Sequence, residues 1–191
     1  HKSLLGGHIW DWKDQGLARY DEHGVKSWGY GGDYERDTDP NSGNFCCNGI
    51  VSPDGIPKPA MWTCKYVYQP VEFTMLDKEE LRLSLKNRNF HRSTEGYAYS
   101  WEIKDEDGLI QNGDLDVPVM APGESVEVSV PAKKISFKSG AVYMLNLYSK
   151  ESAALPYAAA GHCHSSEQVV LNERVQPETP SAKGKAPVIA E

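Results

Sequence analysis

The stretch Leu81-Arg82-Leu83-Ser84-Leu85 alternates apolar and polar side chains with a period of two. This is the pattern of a strand that buries one face and exposes the other. The same period recurs in three later stretches, at residues 97–103, 126–130 and 142–148. The short apolar run at residues 169–171 is a further candidate strand. Turn sequences at residues 105–108 and 121–123 separate them. Short alternating strands over roughly 100 residues predict an immunoglobulin-like antiparallel β-sandwich.

The chain before this region has a different pattern. Residues 4–12, LLGGHIWDW, are mostly apolar and run into charged residues, which predicts a buried strand. Parallel barrels carry their active-site residues at such strand ends. Residues 13–59 are rich in glycine and turn sequences, and a loop region of this length is unusual unless it is functional. Residues 59–67 then predict a helix with proline in its first turn.

Composition limits the classes of function. The 191 residues are 39% hydrophobic and 25% charged, which is typical of a globular protein. The net charge is -7 and no basic patch stands out, so neither the charge nor the pattern favours a nucleic-acid partner. No apolar run reaches the roughly 18 residues of a membrane helix. The chain shows no signal peptide and opens on His1 without an initiator Met, so we expect its first residue to be a cut end, and the compartment stays open between cytoplasm and periplasm.

Some residues allow two interpretations. The four cysteines have no CxxC spacing, and we expect thiols packed as small hydrophobic groups. The sequence His162-Cys163-His164 is predicted to be a polar loop at the end of the sandwich and not a metal site. The stripe Tyr97, Tyr99 and Trp101 favours sandwich core, with a carbohydrate-binding platform as the alternative.

Four motifs follow one another in the first part of the chain. They are GGHIWDWKDQ at 6–15, YGGDY at 30–34, NFCCNGIV at 44–51 and PKPA at 57–60. In this order and spacing they resemble the late barrel strands of glycoside hydrolase family-two β-galactosidases. The resemblance is close over about the first 70 residues, whereas the sandwich matches only in length, position and pattern. It implies three segments: residues 1–69 as the C-terminal strands of a (β/α)8 TIM-barrel catalytic domain, residues 70–175 as the sandwich, and residues 176–191 as a linker or disordered tail.

The resemblance also implies an activity and a site. Such a parent enzyme would be a retaining hydrolase of terminal non-reducing β-D-galactosides such as lactose. Trp10 matches a tryptophan in the galactose-binding wall, although a core tryptophan at a strand end is the alternative. Asn48 and Phe45 match residues that hold sodium beside the sugar through a side-chain oxygen and a backbone carbonyl, so Asn48 serves both sugar and ion. The alternative for Asn48 is a turn residue before Gly49.

The catalytic residues themselves are not expected in this chain. In the resembled family both are glutamates on earlier barrel strands, so Asp11, Asp14 and Asp33 receive no catalytic role. We expect Asp11 and Asp33 to order their loops, and we expect this chain alone to be inactive. The resemblance further implies magnesium bound by other parts of the full-length enzyme. It also implies a β-galactoside and the remaining domains as partners, in a parent that forms a homo-oligomer. A carbohydrate-binding module or a purely structural sandwich is the competing interpretation.

Overall fold

The computed structural model describes residues 3–34 and 47–174. The chain divides into two compact units, His1–Tyr68 (unit 1) and Gln69–Glu191 (unit 2). In the described part of the chain, no helix has the length and apolar character that crossing a bilayer requires.

Unit 2 is a β-sandwich. Its described residues form seven strands: β3 Val71–Asp77, β4 Arg82–Asn87, β5 Tyr97–Asp105, β6 Gly108–Asp114, β7 Ser125–Ser129, β8 Met144–Glu151 and β9 Cys163–Val170. One sheet has the order β3-β4-β7 and the other β6-β5-β8-β9, and every pairing is antiparallel.

The alternating pattern decides which side chains enter the core of unit 2. Leu83 and Leu85 on β4 and Leu145 and Leu147 on β8 are fully buried, whereas their strand neighbours point away. Fully burying a side chain of this size contributes about 1.5–3 kcal/mol. The same core includes Val71, Phe73, Tyr99, Trp101 and Ile103. Alternate residues from both sheets therefore pack into one shared core, as the period of two predicts.

The aromatic stripe on β5 belongs to this core. Tyr99 and Trp101 are 6% and 4% exposed, and burial raises the pKa of the Tyr99 phenol. The indole nitrogen of Trp101 donates to the carbonyl of Asp114 at 3.3 Å. The core interpretation is confirmed for these two residues, and the carbohydrate-platform alternative is wrong because neither ring has a free face.

Two features of unit 2 differ from the prediction. Strands β3 and β6 were not predicted, and β9 begins at Cys163, so the interpretation of Cys163 and His164 as loop residues is wrong. Polar residues are tolerated in this strand because they find partners: Ser165, 2% exposed, accepts the N–H of Val71 at 3.0 Å through its hydroxyl. The pairing of β8 with β9 has a register shift at this end of the strand, where Lys150 pairs with Cys163 and Ser149 with Ser165. Within the described residues no group of three or more His, Cys, Asp or Glu side chains is arranged to hold a metal.

Unit 1 has short elements. They are the hairpin of β1 Leu17–Tyr20 and β2 Lys26–Gly29, a 3-10 helix at Gly31–Tyr34 and the helix α1 Pro59–Val67. The prediction of α1 with proline at its start is confirmed. Among the described residues of unit 1, Ile50 alone is a buried apolar residue, and α1 buries none of its residues.

The predicted buried strand at residues 4–12 is wrong. These residues form no regular strand, and Leu5 is completely exposed. A strand of this type needs hydrogen-bonding neighbours at its edges and covering layers on both faces. Within the described residues its end meets only the segment around Val51, to which Lys13 forms an isolated parallel bridge. The apolar pattern was recognised correctly, but the surface that would bury it is not in this part of the chain.

The shared core makes a prediction about the stability of unit 2. Leu147→Ala should lower the free energy of unfolding by about 2–5 kcal/mol, because it leaves a cavity between the sheets. Leu109→Ala makes the same chemical change where 54% of the side chain is exposed, and its effect should stay below about 0.5 kcal/mol. Urea unfolding followed by circular dichroism measures both. Equal losses for the two variants would contradict the assignment of the core.

Candidate functional site

Two segments of unit 1 are joined by backbone hydrogen bonds. The N–H of Asp14 donates to the carbonyl of Val51, and the N–H of Val51 donates to the carbonyl of Trp12, both at 2.9 Å. The N–H of Ile50 lies 3.2 Å from the carbonyl oxygens of Asp11 and of Trp12. This short pairing brings the WDW motif and the NGIV motif together, although no extended sheet forms.

Trp10 and Asn48 lie at the same end of this pairing. A β-carbon added to Gly49 would be 2.7 Å from Oδ1 of Asp11, so Asp11 and Gly49 are in contact. Trp10 directly precedes Asp11, through a cis peptide bond, and Asn48 directly precedes Gly49. The two predicted sugar-binding residues are therefore adjacent along the pairing.

Both residues present their side chains outward in unit 1. Trp10 is 76% exposed, so the face of its indole is open to contact, and Asn48 is exposed beside the buried Gly49. An exposed aromatic ring beside an exposed amide suits a sugar, whose C–H face stacks on rings and whose hydroxyls seek polar partners. Phe45, the other predicted sodium ligand, lies outside the described residues.

An ion pair fixes the turn that carries Asn48. Oδ1 of Asp14 accepts the N–H of Gly49 at 2.6 Å, and Oδ2 lies 2.7 Å from Nζ of Lys58. The Lys58 ammonium also donates to the carbonyl of Cys47 at 2.7 Å. The side chain of Asp14 is 1% exposed and that of Lys58 is 33% exposed. Sequence reasoning named Asp14 only to give it no catalytic role and missed Lys58, although each lies in a quoted motif: Asp14 in WDWKDQ and Lys58 in PKPA.

The donor set near Asn48 suits a hard cation. Oδ1 of Asp11 is buried and has no hydrogen-bond partner in the described part of unit 1, and it lies against Gly49. A buried carboxylate oxygen without a partner is unusual and favours a nearby cation or donor. Together with the side-chain oxygen of Asn48 it supplies the oxygen ligands that such ions prefer.

The other carboxylates of unit 1 have local structural roles. Oδ2 of Asp33 accepts the N–H of Tyr30 at 2.8 Å, which confirms that Asp33 orders its turn. Oδ2 of Asp11 accepts the amide of Gln15 at 3.2 Å. Asp21 accepts two backbone N–H groups within the β1–β2 turn. The hydroxyl of Ser52 hydrogen-bonds to Asp54 and lowers the pKa of that carboxyl, the opposite of what a general acid requires.

Comparison with known proteins identifies the family. Residues 1–73 match the model of the glycosyl hydrolases family 2 TIM barrel domain, and residues 83–172 match β-galactosidase domain 4. The chain is 33% identical to a β-galactosidase of Aeromonas hydrophila over 90% of its length and 36% identical to one of Alteromonas mediterranea over 88%. It is 31% identical over its whole length to β-galactosidase 2 of Enterobacter cloacae.

The similar regions are only part of those relatives. The chain spans 16% of the Aeromonas and Alteromonas proteins and 18% of the Enterobacter protein. A solved structure of β-glucuronidase 2 from Bacteroides uniformis, covalently bound to cyclophellitol-6-carboxylate aziridine, is similar over 52% of this chain and 12% of its own. Its TM-score of 0.35 and identity of 13% are too low to assign a fold.

Two matched domain models, together with relatives named as β-galactosidases along most of the chain, define this chain as part of a glycoside hydrolase. The chain belongs to glycoside hydrolase family 2, in its β-galactosidase group. It comprises a portion of the TIM-barrel domain followed by domain 4.

The contact between Asp11 and Gly49 is testable. A methyl group at position 49 would meet Oδ1 of Asp11 and the N–H of Asp14 at 2.7 Å, closer than packed atoms allow. Overpacking of this kind costs about 1–3 kcal/mol, so Gly49→Ala should speed amide exchange of Asp14 and Val51 by about tenfold or more. Gly7→Ala is the control, because nothing lies within 4 Å of its added methyl group. Unchanged exchange in Gly49→Ala would show that the two segments are not held as described.

Proposed function

We propose that this chain is part of a retaining β-galactosidase that hydrolyses terminal non-reducing β-D-galactosides such as lactose. In this proposal the chain contributes residues that bind the galactosyl residue of the substrate. The observation that supports this most directly is the pair of exposed side chains, Trp10 and Asn48, at one end of the pairing between residues 11–14 and 49–51. The relatives named as β-galactosidases support the same substrate class.

The two side chains would make complementary contacts with the sugar. The indole of Trp10 would stack on the apolar C–H face of the ring, and the amide of Asn48 would meet a hydroxyl group. Stacking fixes the plane of the ring and the hydrogen bond fixes its rotation in that plane. Together they hold the anomeric carbon in position for attack.

A sodium ion is proposed beside Asn48. The side-chain oxygen of Asn48 and the backbone carbonyl of Phe45 would be ligands, and the unpartnered Oδ1 of Asp11 adds negative charge nearby. The ion would supply electrostatic attraction to sugar oxygens. Magnesium, where the full-length enzyme uses it, would be held by other parts of the protein.

The acid–base chemistry would come from outside the described residues. A retaining glycosidase uses two carboxyl groups about 5–5.5 Å apart, one as nucleophile and one as proton donor. In unit 1 Asp14 is bound to Lys58, whereas Asp21, Asp33 and Asp54 accept local hydrogen bonds. Glu22 is 87% exposed in the hairpin turn. The four aspartates already serve the local structure, which supports catalytic glutamates supplied by earlier strands of the barrel.

Unit 2 would serve as a supporting domain of this enzyme. We infer an immunoglobulin-like topology, because a three-stranded sheet β3-β4-β7 faces a four-stranded sheet β6-β5-β8-β9 around one core. The exposed apolar side chains of unit 1, among them Leu5 and Trp62, support contact with further domains of the parent. A homo-oligomeric parent remains part of the proposal.

The first test of this assignment uses the purified chain. We expect no hydrolysis of a chromogenic β-galactoside above the uncatalysed rate, because both catalytic glutamates of the proposed enzyme would lie on earlier barrel strands and not in this chain. A full-length enzyme that contains the chain is the positive control. Turnover within tenfold of that enzyme would contradict the proposal that the catalytic carboxyl groups lie outside this chain.

The second test changes the sugar-binding residues in the full-length enzyme. Trp10→Ala removes the stacking face, and a displacement of the sugar by about 1 Å costs on the order of 100-fold in rate, so kcat/KM should fall while the melting temperature changes little. Phe90→Ala, the truncation of an aromatic ring that is 87% exposed in unit 2, is the control. Asn48→Ala should weaken galactose binding, and added sodium should partly restore it by mass action. A large fall in melting temperature with unchanged kcat/KM would make Trp10 a core residue.

A further inference from the structure

We infer that Asp14 and Lys58 are positioning residues that set the orientation of Asn48 toward the sugar. The inference rests on the proposed function, because it assigns a purpose to Asn48. Neither residue need touch the sugar for this role. The two act through the backbone on either side of Asn48.

The geometry fixes both peptide planes that flank Asn48. The carbonyl of Cys47 belongs to the peptide before Asn48, and it accepts a hydrogen bond from Nζ of Lys58 at 2.7 Å. The N–H of Gly49 belongs to the peptide after Asn48, and it donates to Oδ1 of Asp14 at 2.6 Å. Because a residue has only two soft backbone dihedrals, φ and ψ, holding both neighbouring planes fixes the direction of the Cα–Cβ bond from which its side chain projects.

The ion pair links these two restraints to each other. Oδ2 of Asp14 and Nζ of Lys58 lie 2.7 Å apart, so the group that holds one plane also holds the other. Hydrogen bonds to ionised groups are shorter and stronger than those between neutral groups. The conformation at Cys47 needs such support, because its φ of 61° lies in the left-handed region that side chains other than glycine disfavour.

Burial separates this pair from an ordinary surface pair. The side chain of Asp14 is 1% exposed, so its charge without Lys58 would be left uncompensated away from water. Lys26 and Asp54 form the comparison in the same unit, at 3.6 Å with side chains 41% and 38% exposed. Exposed pairs of this kind contribute little, and Lys26 holds neither plane beside Asn48.

The test uses the full-length enzyme with Lys58→Met, Lys58→Arg, Asp14→Asn and Lys26→Met. Lys58→Met should lower kcat/KM on the order of 10- to 100-fold and raise the Kd for galactose, the probe of binding without turnover. Lys58→Arg retains the charge and the donors and should recover most of the loss. Lys26→Met, the matched control, should keep kcat/KM within about twofold of wild type.

Two readouts distinguish positioning from general stability. Amide exchange at Gly49 should accelerate in Lys58→Met, whereas exchange in unit 2 stays unchanged. In an Asn48→Ala background, Lys58→Met should cause less than about a twofold further loss of kcat/KM, because the two residues act in series. Asp14→Asn keeps the volume and the acceptor for Gly49 but removes the charge, so it serves as the test if Lys58→Met fails to fold.

The outcomes separate the two proposals. Unchanged kcat/KM and galactose Kd in both Lys58→Met and Asp14→Asn, with Asn48→Ala impaired, would overturn the positioning role and leave the sugar site in place. Equal losses from Lys58→Met with and without Asn48 would overturn it as well, because the pair would then act on stability alone. An Asn48→Ala enzyme that binds and hydrolyses galactosides like wild type would overturn the proposed sugar site, and the positioning role with it.

Discussion

The buried carboxylate of Asp14 is the interaction on which the candidate site depends. It accepts the N–H of Gly49 and pairs with Lys58, and its own backbone joins Val51. A carboxylate that is 1% exposed is stable only when each oxygen has a strong donor, and here both oxygens have one. Unit 1 therefore obtains its local order from charge-assisted hydrogen bonds, whereas unit 2 obtains its order from apolar packing between two sheets. The contrast explains how a region with a single buried apolar residue among its described positions still has a defined turn.

Much of unit 2 follows from its sequence, and the reason lies in the period of its strands. In β4 and β5 buried residues alternate with more exposed ones, so the pattern predicts both the strand and its inner face. Strand β6 was not predicted because Gly108–Asp114 has two adjacent apolar residues and two glycines but no period of two, and it forms a strand by pairing with β5. Only the apolar end of β9 was predicted, because Ser165 and its neighbours have the composition of a loop and their pairing depends on contacts such as the hydrogen bond to Val71. Tertiary partners decided these cases, and they leave no local signal.

Unit 1 shows the opposite relation between pattern and structure. Residues 4–12 carry the apolar signature of a barrel strand, but that signature describes a surface to be covered, and within the described chain the covering layers are missing. The candidate residues Trp10 and Asn48 were predicted from the order of the motifs, which depends on the chemistry of the site and not on how the chain packs. The Asp14–Lys58 pair was not found, because a lysine between two prolines and an aspartate before a glutamine have many ordinary uses. Only the distances of 2.7 Å or less show that these residues enclose the turn of Asn48.

The burial of Asp14 and the exposure of Asn48 determine how the site responds to ionic strength. Ion pairs between exposed groups are screened over a Debye length of about 8 Å at physiological salt, whereas a pair that water barely reaches is screened much less. The turn of Asn48 is thus held by an interaction that ionic strength changes little, and the ions of the medium are free to act at the exposed side chain of Asn48 itself. A sugar subsite that used sodium would need both a shielded ion pair and an exposed ligand, because the sodium salt would otherwise weaken the ion pair that holds the turn of Asn48. The buried Asp14 and the exposed Asn48, which is one residue from the contact of Gly49 with Asp11, provide both conditions at one site.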